Sequence, residues 1–164
     1  MLTETDTRLL RRAFALAAEA RARGDRPFAA VIAGADGAVL AEAGSMQGAS
    51  GAGTLAHSEM NALSAVLAAG VPRPALRAAT MYSSGEPCAM CAAAAFYAGI
   101  GRVVYGLSAE AILHLRNAQA HTAGLSLSCR AVLKTAAEHV EVVGPCLEDE
   151  AAMPHQGYWT AGAA

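Results

Sequence analysis

Residues Phe28–Ala43 read FAAVIAGADGAVLAEA: two short apolar runs, Phe28–Ala33 and Ala38–Ala43, separated by Gly34-Ala35-Asp36-Gly37. An Asp-Gly pair between such runs suits a tight turn and predicts an antiparallel hairpin. Upstream, Leu9, Leu10, Ala13, Phe14, Ala17 and Ala20 recur at helical spacing, with Thr3 or Thr5 as cap and Gly24 as the stop. Downstream, Gly44–Thr54 carries four glycines and predicts a loop that shapes a pocket. A second helix follows over Thr54–Ala69, stopped by Gly70 and the Pro72/Pro74 pair, and then a strand over Ala79–Tyr82. Pro87 opens a helix over Cys88–Ala98 that Gly99 ends. A strand over Arg102–Tyr105, a helix over Ser108–Asn117, a helix near Ser128–Lys134 and a strand over Val140–Val143 complete the order. Helix, hairpin, then alternating strands and helices predict an α/β fold, a mixed sheet covered by helices on both faces.

The 164 residues suit one domain, 1–164, with no repeat or linker. Apolar residues make up 54% and charged residues 16%, which excludes a disordered chain. Twelve basic against fourteen acidic residues give a net charge of −2 and no field to hold a long polyanion. Six of the twelve lie between Arg8 and Arg26, where solvated helix faces explain them and a local nucleic-acid contact stays open. The apolar runs, such as Ala92–Ala98, fall well short of the ~20 residues of a membrane span. Met1–Arg12 holds acids and no apolar stretch of signal-peptide length, so a soluble, cytoplasmic protein is expected. In a reducing compartment a close Cys-x-x-Cys reads as metal or redox chemistry before it reads as a disulfide.

That pair is Cys88 and Cys91, in Pro87-Cys88-Ala89-Met90-Cys91. At i and i+3 the two thiols share one helix face, at the end where the helix dipole favours thiolates. Pro87 supplies the preset φ of a first turn. A neutral imidazole from His57 makes three protein ligands and leaves the fourth tetrahedral position to water, the layout of a catalytic zinc. Glu59 follows His57 by two positions, which on a continuous helix points it about 200° away. The two converge only if His57 sits in the first turn or just outside it, and Thr54 as cap would place it there. Glu59 is then the general base and acid.

His57-Ser58-Glu59 with Pro87-Cys88-Ala89-Met90-Cys91 resembles the H-x-E and P-C-x-x-C signature of the zinc-dependent cytidine and nucleobase deaminase superfamily. Arg26–Val31 and Tyr82–Glu86 are similar to the guanine deaminase, cytosine deaminase and tRNA adenosine deaminase branch. The resemblance, over residues 6–106, implies a three-layer α/β/α sandwich around a five-stranded mixed sheet and a homodimer with one Zn²⁺ per subunit. It also implies hydrolytic release of ammonia from a small amino-substituted heterocycle: a guanine- or cytosine-type base, or a triazine analogue. Deamination of tRNA adenosine is the alternative within the class, and a non-catalytic zinc-stabilised binding module the alternative outside it. Relatives carry an Asn where this chain has Met46, with Gln47 beside it. By position, the resemblance lines the base pocket with Phe28, Gln47, Ala56 and the carbonyl of Glu86.

The tail His155-Gln156-Gly157-Tyr158-Trp159 holds the single Trp of the chain beside a Tyr. Tyr158 and Trp159 read either as a lid over the pocket or as aromatics docked on the core. Phe96 and Tyr97 belong to core or dimer contact, and Glu148, Asp149 and Glu150 to a solvated acidic turn, with a second proton-handling carboxylate as the alternative. Cys129 and Cys146 read as buried thiols, and His114, His121 and His139 as ordinary polar positions.

Overall fold

The computed structural model describes residues 2–116 and 125–159. Helix α1, Glu4–Ala22, begins at Thr3 in a capping box: the Thr3 hydroxyl accepts the Asp6 N–H and the Asp6 carboxylate accepts the Thr3 N–H, each at 3.0 Å. The expected hairpin forms from β1, Ala29–Ala33, and β2, Val39–Gly44. Its turn is closed by Gly34 N–H to Ala38 O and Gly37 N–H to Gly34 O, with Gly37 at φ +77°.

Strands β3, Thr80–Gly85, β4, Arg102–Leu107, and β5, Glu141–Val143, extend the sheet to the order β2-β1-β3-β4-β5. β1 is antiparallel to β2 and β3, whereas β3, β4 and β5 run parallel. The mixed five-stranded sheet is therefore as the sequence implied. Helices α2, Ser58–Ala68, α4, Ala89–Ala98, and α6, Cys129–Lys134, cover one face, where Ile32, Leu63, Val66, Met81, Ile100 and Val103 are buried. Helix α1, with α5, Ala109–Leu115, and α7, Glu148–Ala152, covers the other, over Leu9, Leu10, Phe14, Val31, Tyr82 and Val104. No helix among the described residues is long and apolar enough to cross a membrane.

Asp6, only 1% exposed, ties the layers together. It accepts two hydrogen bonds from Arg102 on β4, at 2.6 and 3.1 Å, and one from the Tyr82 hydroxyl on β3, at 2.9 Å.

Three local expectations need correction. The second helix starts at Ser58 with His57 as its cap, so Thr54 caps nothing. Residues before His57 are held in a turn, with Ala56 O accepting Met46 N–H and the Asn61 side chain. Pro87 sits one residue outside the cap of α4, which is Cys88, and so precedes the first turn. The second helix ends at Ala68, ahead of Gly70 and the Pro72/Pro74 pair as expected, and Pro72 then caps a short helix, α3, Arg73–Arg77, with Pro74 in its first turn. Glu148–Glu150 form the first turn of α7 instead of an acidic turn, where acids favour the helix dipole, and Glu150 pairs with Arg11 at 2.8 Å. His121 and the end of the helix expected to reach Asn117 lie outside the described residues.

Candidate active site

The carboxyl end of β3 runs directly through Glu86 and Pro87 into Cys88, the cap of α4. Beside it lies the start of α2. His57, at φ −64° and ψ 148°, is extended backbone just outside the helix, and Glu59 is the second helical residue. This break in helical geometry lets side chains two positions apart face the same point.

Nδ1 of His57 stands 3.6 Å from Sγ of Cys91 and 3.8 Å from Sγ of Cys88, and the three ligand atoms lie within 4.8 Å of one another. Zn–N of ~2.05 Å and Zn–S of ~2.3 Å at tetrahedral angles require N···S separations of about 3.6 Å. His57, Cys88 and Cys91 are thus positioned to bind zinc through Nδ1 and both sulfurs. The donor set leaves one coordination position free of protein. The Cys88 thiol is held down to about 4, first by its hydrogen bond with Cys91 and then by His57, while Cys91 is pushed up by its hydrogen bond with Cys88 and by burial.

Glu59 is 7% exposed, and its two carboxylate oxygens accept from hydroxyls: Oε2 from Ser58 at 3.0 Å, Oε1 from Ser83 of β3 at 3.3 Å. Burial raises its pKa above the ordinary carboxylate value, as a group that must take and return a proton requires.

The glycine-rich loop between β2 and α2 is fixed by Asp25, a fully buried residue that nothing local in the sequence singles out. Its carboxylate accepts the N–H groups of Gly48 and Ser50 at 3.0 Å each, and the Ser50 hydroxyl. Gly48 is required here, since a Cβ would collide with the carbonyl of Gly24. The Gln47 side chain turns into this loop, donating to Thr54 O at 2.8 Å. Ala56 is half-buried directly before His57.

Glu86 does more than its position suggested. Its carboxylate accepts the N–H of Ala109 at the start of α5 and of Cys129 at the start of α6, both at 3.0 Å. One side chain next to the metal motif thereby caps two helices. Cys129 is buried, Cys146 half-buried, and His114 and His139 are exposed. Phe96 packs against the core, whereas Tyr97 is 77% exposed.

The tail is docked on Phe28, beside β3. The Phe28 ring lies against the Gly85 position, 5.0 Å from the His155 ring and 6.1 Å from that of Trp159. Trp159 donates its indole N–H to Nδ1 of His155 at 3.1 Å, and Tyr158 meets its ring edge-on at 4.7 Å. The Arg116 guanidinium covers the indole at 4.4 Å.

The family model of the cytidine and deoxycytidylate deaminase zinc-binding region matches residues 3–107. A protein of Schizosaccharomyces pombe named probable cytosine deaminase is 35% identical over 161 residues, 98% of this chain and 96% of its own length. A structure solved in a study of A-to-I editing by tRNA:A34 deaminases superposes with a TM-score of 0.70 at 27% identity, covering 90% of this chain and 99% of that one. The guanine deaminase of Bacillus subtilis superposes with a TM-score of 0.59 at 29% identity, covering 69% of each chain.

Proposed function

From the premise that this chain belongs to the cytidine and deoxycytidylate deaminase zinc-binding family and is a zinc-dependent deaminase, we propose that its substrate is a small amino-substituted heterocycle, a free base of the cytosine or guanine type or a triazine analogue. The observation that carries this reading is the buried Glu59 carboxylate held beside the three-ligand cluster. Bound by His57, Cys88 and Cys91, zinc supplies a Lewis acid that brings the pKa of a water toward ~7. Glu59 accepts the proton of the attacking water and returns protons to the ring nitrogen and the departing amine. Ser58 and Ser83 hold its two oxygens in place, and the carbonyl of Glu86 at the mouth of the motif orients the leaving ammonia. Phe28 and Trp159 form an aromatic wall on which a planar ring stacks, with Tyr158 behind it. Gln47 contacts the base only by releasing Thr54, so Gln47→Ala is expected to change KM less than Trp159→Ala. In this reading the working unit is a cytoplasmic homodimer, which light scattering on the purified protein checks.

The rival within the class is supported by the similarity to the tRNA:A34 deaminase structure. Ammonia release from zinc-loaded protein, measured on free bases, nucleosides, triazines and tRNA with Glu59→Gln as the blank, separates the two. Turnover of free bases is expected; turnover of tRNA alone overturns the proposal.

A further inference from the structure

The chain after α7 folds back around one side chain. The His155 carbonyl accepts the Tyr158 N–H at 3.1 Å, and Nδ1 of the His155 ring accepts the indole N–H of Trp159, also at 3.1 Å. Gly157, at φ +69°, makes the reversal between them. The His155 and Trp159 rings lie 20° from parallel with centroids 6.0 Å apart, while the Phe28 and His155 rings meet edge to face at 5.0 Å. His155 therefore touches both aromatics of the proposed wall. An indole N–H only donates, so Nδ1 is the acceptor and the neutral imidazole carries its proton on Nε2.

Arg21, in the last turn of α1, holds this residue by its backbone. Its Nη1 donates to Pro154 O at 2.9 Å and to Gln156 O at 2.7 Å, the carbonyls of the residues on either side of His155. Its guanidinium carbon lies 5.9 Å from the centre of the Tyr158 ring. Because Asp6 locks α1 to β3 and β4, the place of the imidazole is fixed relative to the strand that leads to Cys88. Packing alone does not call for a histidine here. Burying an imidazole to 1% exposure costs stability that an apolar ring would not, and a phenylalanine would fill the same space. What the imidazole adds is direction: a single acceptor at the indole nitrogen fixes a rotation that ring stacking leaves free. The indole so fixed borders Phe28, whose ring lies against Gly85, three positions before Cys88.

We propose that His155, clamped through its flanking carbonyls by Arg21, is a positioning residue for substrate binding: it sets the orientation of Trp159 in the aromatic wall on which the planar base stacks. This rests on the free-base reading and extends it to two residues that touch neither the base nor zinc. A planar heterocycle stacks on the wall in its ground state and its transition state alike. Both residues therefore act on KM and leave kcat nearly constant.

Steady-state kinetics of the zinc-loaded protein with cytosine and with guanine test it. His155→Phe keeps an aromatic ring and removes the acceptor, whereas Arg21→Gln removes the clamp from a half-buried position. Each is expected to raise KM about 10-fold, the loss of one base–aromatic stack, with kcat within about threefold of wild type. Since His155 acts through Trp159, adding His155→Phe to Trp159→Ala is expected to raise KM no further than Trp159→Ala alone. An unchanged KM in both His155→Phe and Arg21→Gln, a loss confined to kcat, or effects of His155→Phe and Trp159→Ala that multiply each overturn the proposal.

Trp159 is the single Trp of the chain, so acrylamide quenching of its emission reports its place without any substrate. Stronger quenching in His155→Phe and in Arg21→Gln supports the positioning role, and quenching identical to wild type in both overturns it. Absence of ammonia release from either base, with zinc bound, defeats the free-base reading instead. Calorimetric binding of the same bases to zinc-loaded Glu59→Gln protein then judges the wall alone: a Kd raised by adding His155→Phe supports the proposal, and an unaltered Kd or no binding overturns it.

Discussion

Ser83 on the central strand β3 donates its hydroxyl to Oε1 of Glu59 at 3.3 Å, while Ser58 donates to Oε2 of the same carboxylate at 3.0 Å. The proton-handling group is thus oriented from both the sheet and its own helix, with little rotamer freedom left to it. Glu59→Gln is expected to keep zinc, as metal analysis will show, and to lower kcat by ~10²-fold or more, the range of general acid–base contributions. Ser83→Ala removes one orienting bond and is expected to lower kcat by about 10-fold with zinc retained. Wild-type turnover in Glu59→Gln would sink the mechanism.

Cys88→Ala should release zinc and lower the thermal midpoint, because the three ligands join the start of α2 to the start of α4. A chelator added to the wild-type protein should give a similar fall, and should give almost none in the variant. Cys129→Ala, at a buried thiol outside the ligand cluster, should bind stoichiometric zinc.

Burial alone would raise the pKa of Asp6, but the hydrogen bonds from Arg102, Thr3 and Tyr82 outweigh it and hold the carboxyl well below the usual range. A depressed carboxylate stabilises the fold fully above its unfolded pKa of ~3.9, and that contribution is lost as pH falls below this value toward the folded one. Asp6→Asn is therefore expected to cost about 3 kcal/mol at pH 7. In urea titrations its deficit against wild type should shrink progressively below pH 4. A deficit independent of pH would remove the ionised carboxylate from the account.

His155 is 1% exposed; burial, then the charges of Arg116 and Arg21, bring its pKa down to about 4. It is neutral in the fold, accepting the Trp159 N–H at Nδ1. The unfolded chain takes up the proton near 6.5, so this residue makes stability decline as pH falls from about 6.5 to about 4 and has no further effect below. The decline is on the order of 3 kcal/mol. His155→Phe should flatten it in denaturant unfolding between pH 7 and pH 4, and an unchanged slope would assign it to other groups.

Glu86→Ala removes one acceptor from the first turn of each of α5 and α6, at Ala109 and Cys129, while Ser108 and Ser128 still cap the two helices. The expected cost is about 1–2 kcal/mol, with amide exchange at Ala109 and Cys129 faster by ~10-fold and zinc still bound. Unaltered exchange at both amides would show that water replaces the carboxylate without loss.

What the sequence determined by itself is what lies close along the chain or repeats with a period. The Gly34–Gly37 turn, the cap at Thr3, the caps at Ser108 and Ser128, and the i, i+3 thiols of Cys88 and Cys91 are each decided within a few residues, so local chemistry suffices to read them. His57 entered through spacing and resemblance, and its place outside the helix met the stated geometric condition. Which residue capped α2 depended on distance in space: Thr54 is a good local cap, but Met46 and Asn61 bind Ala56 O and delay the helix to Ser58. The same holds for Asp25, Asp6 and Glu86, whose partners lie 23 to 96 positions away. A carboxylate carries no local mark of what it will accept once buried. Only the tertiary structure, by stripping water from those oxygens and bringing distant donors to them, decides that Asp25 holds the loop, Asp6 locks α1 to the sheet, and Glu86 caps two helices.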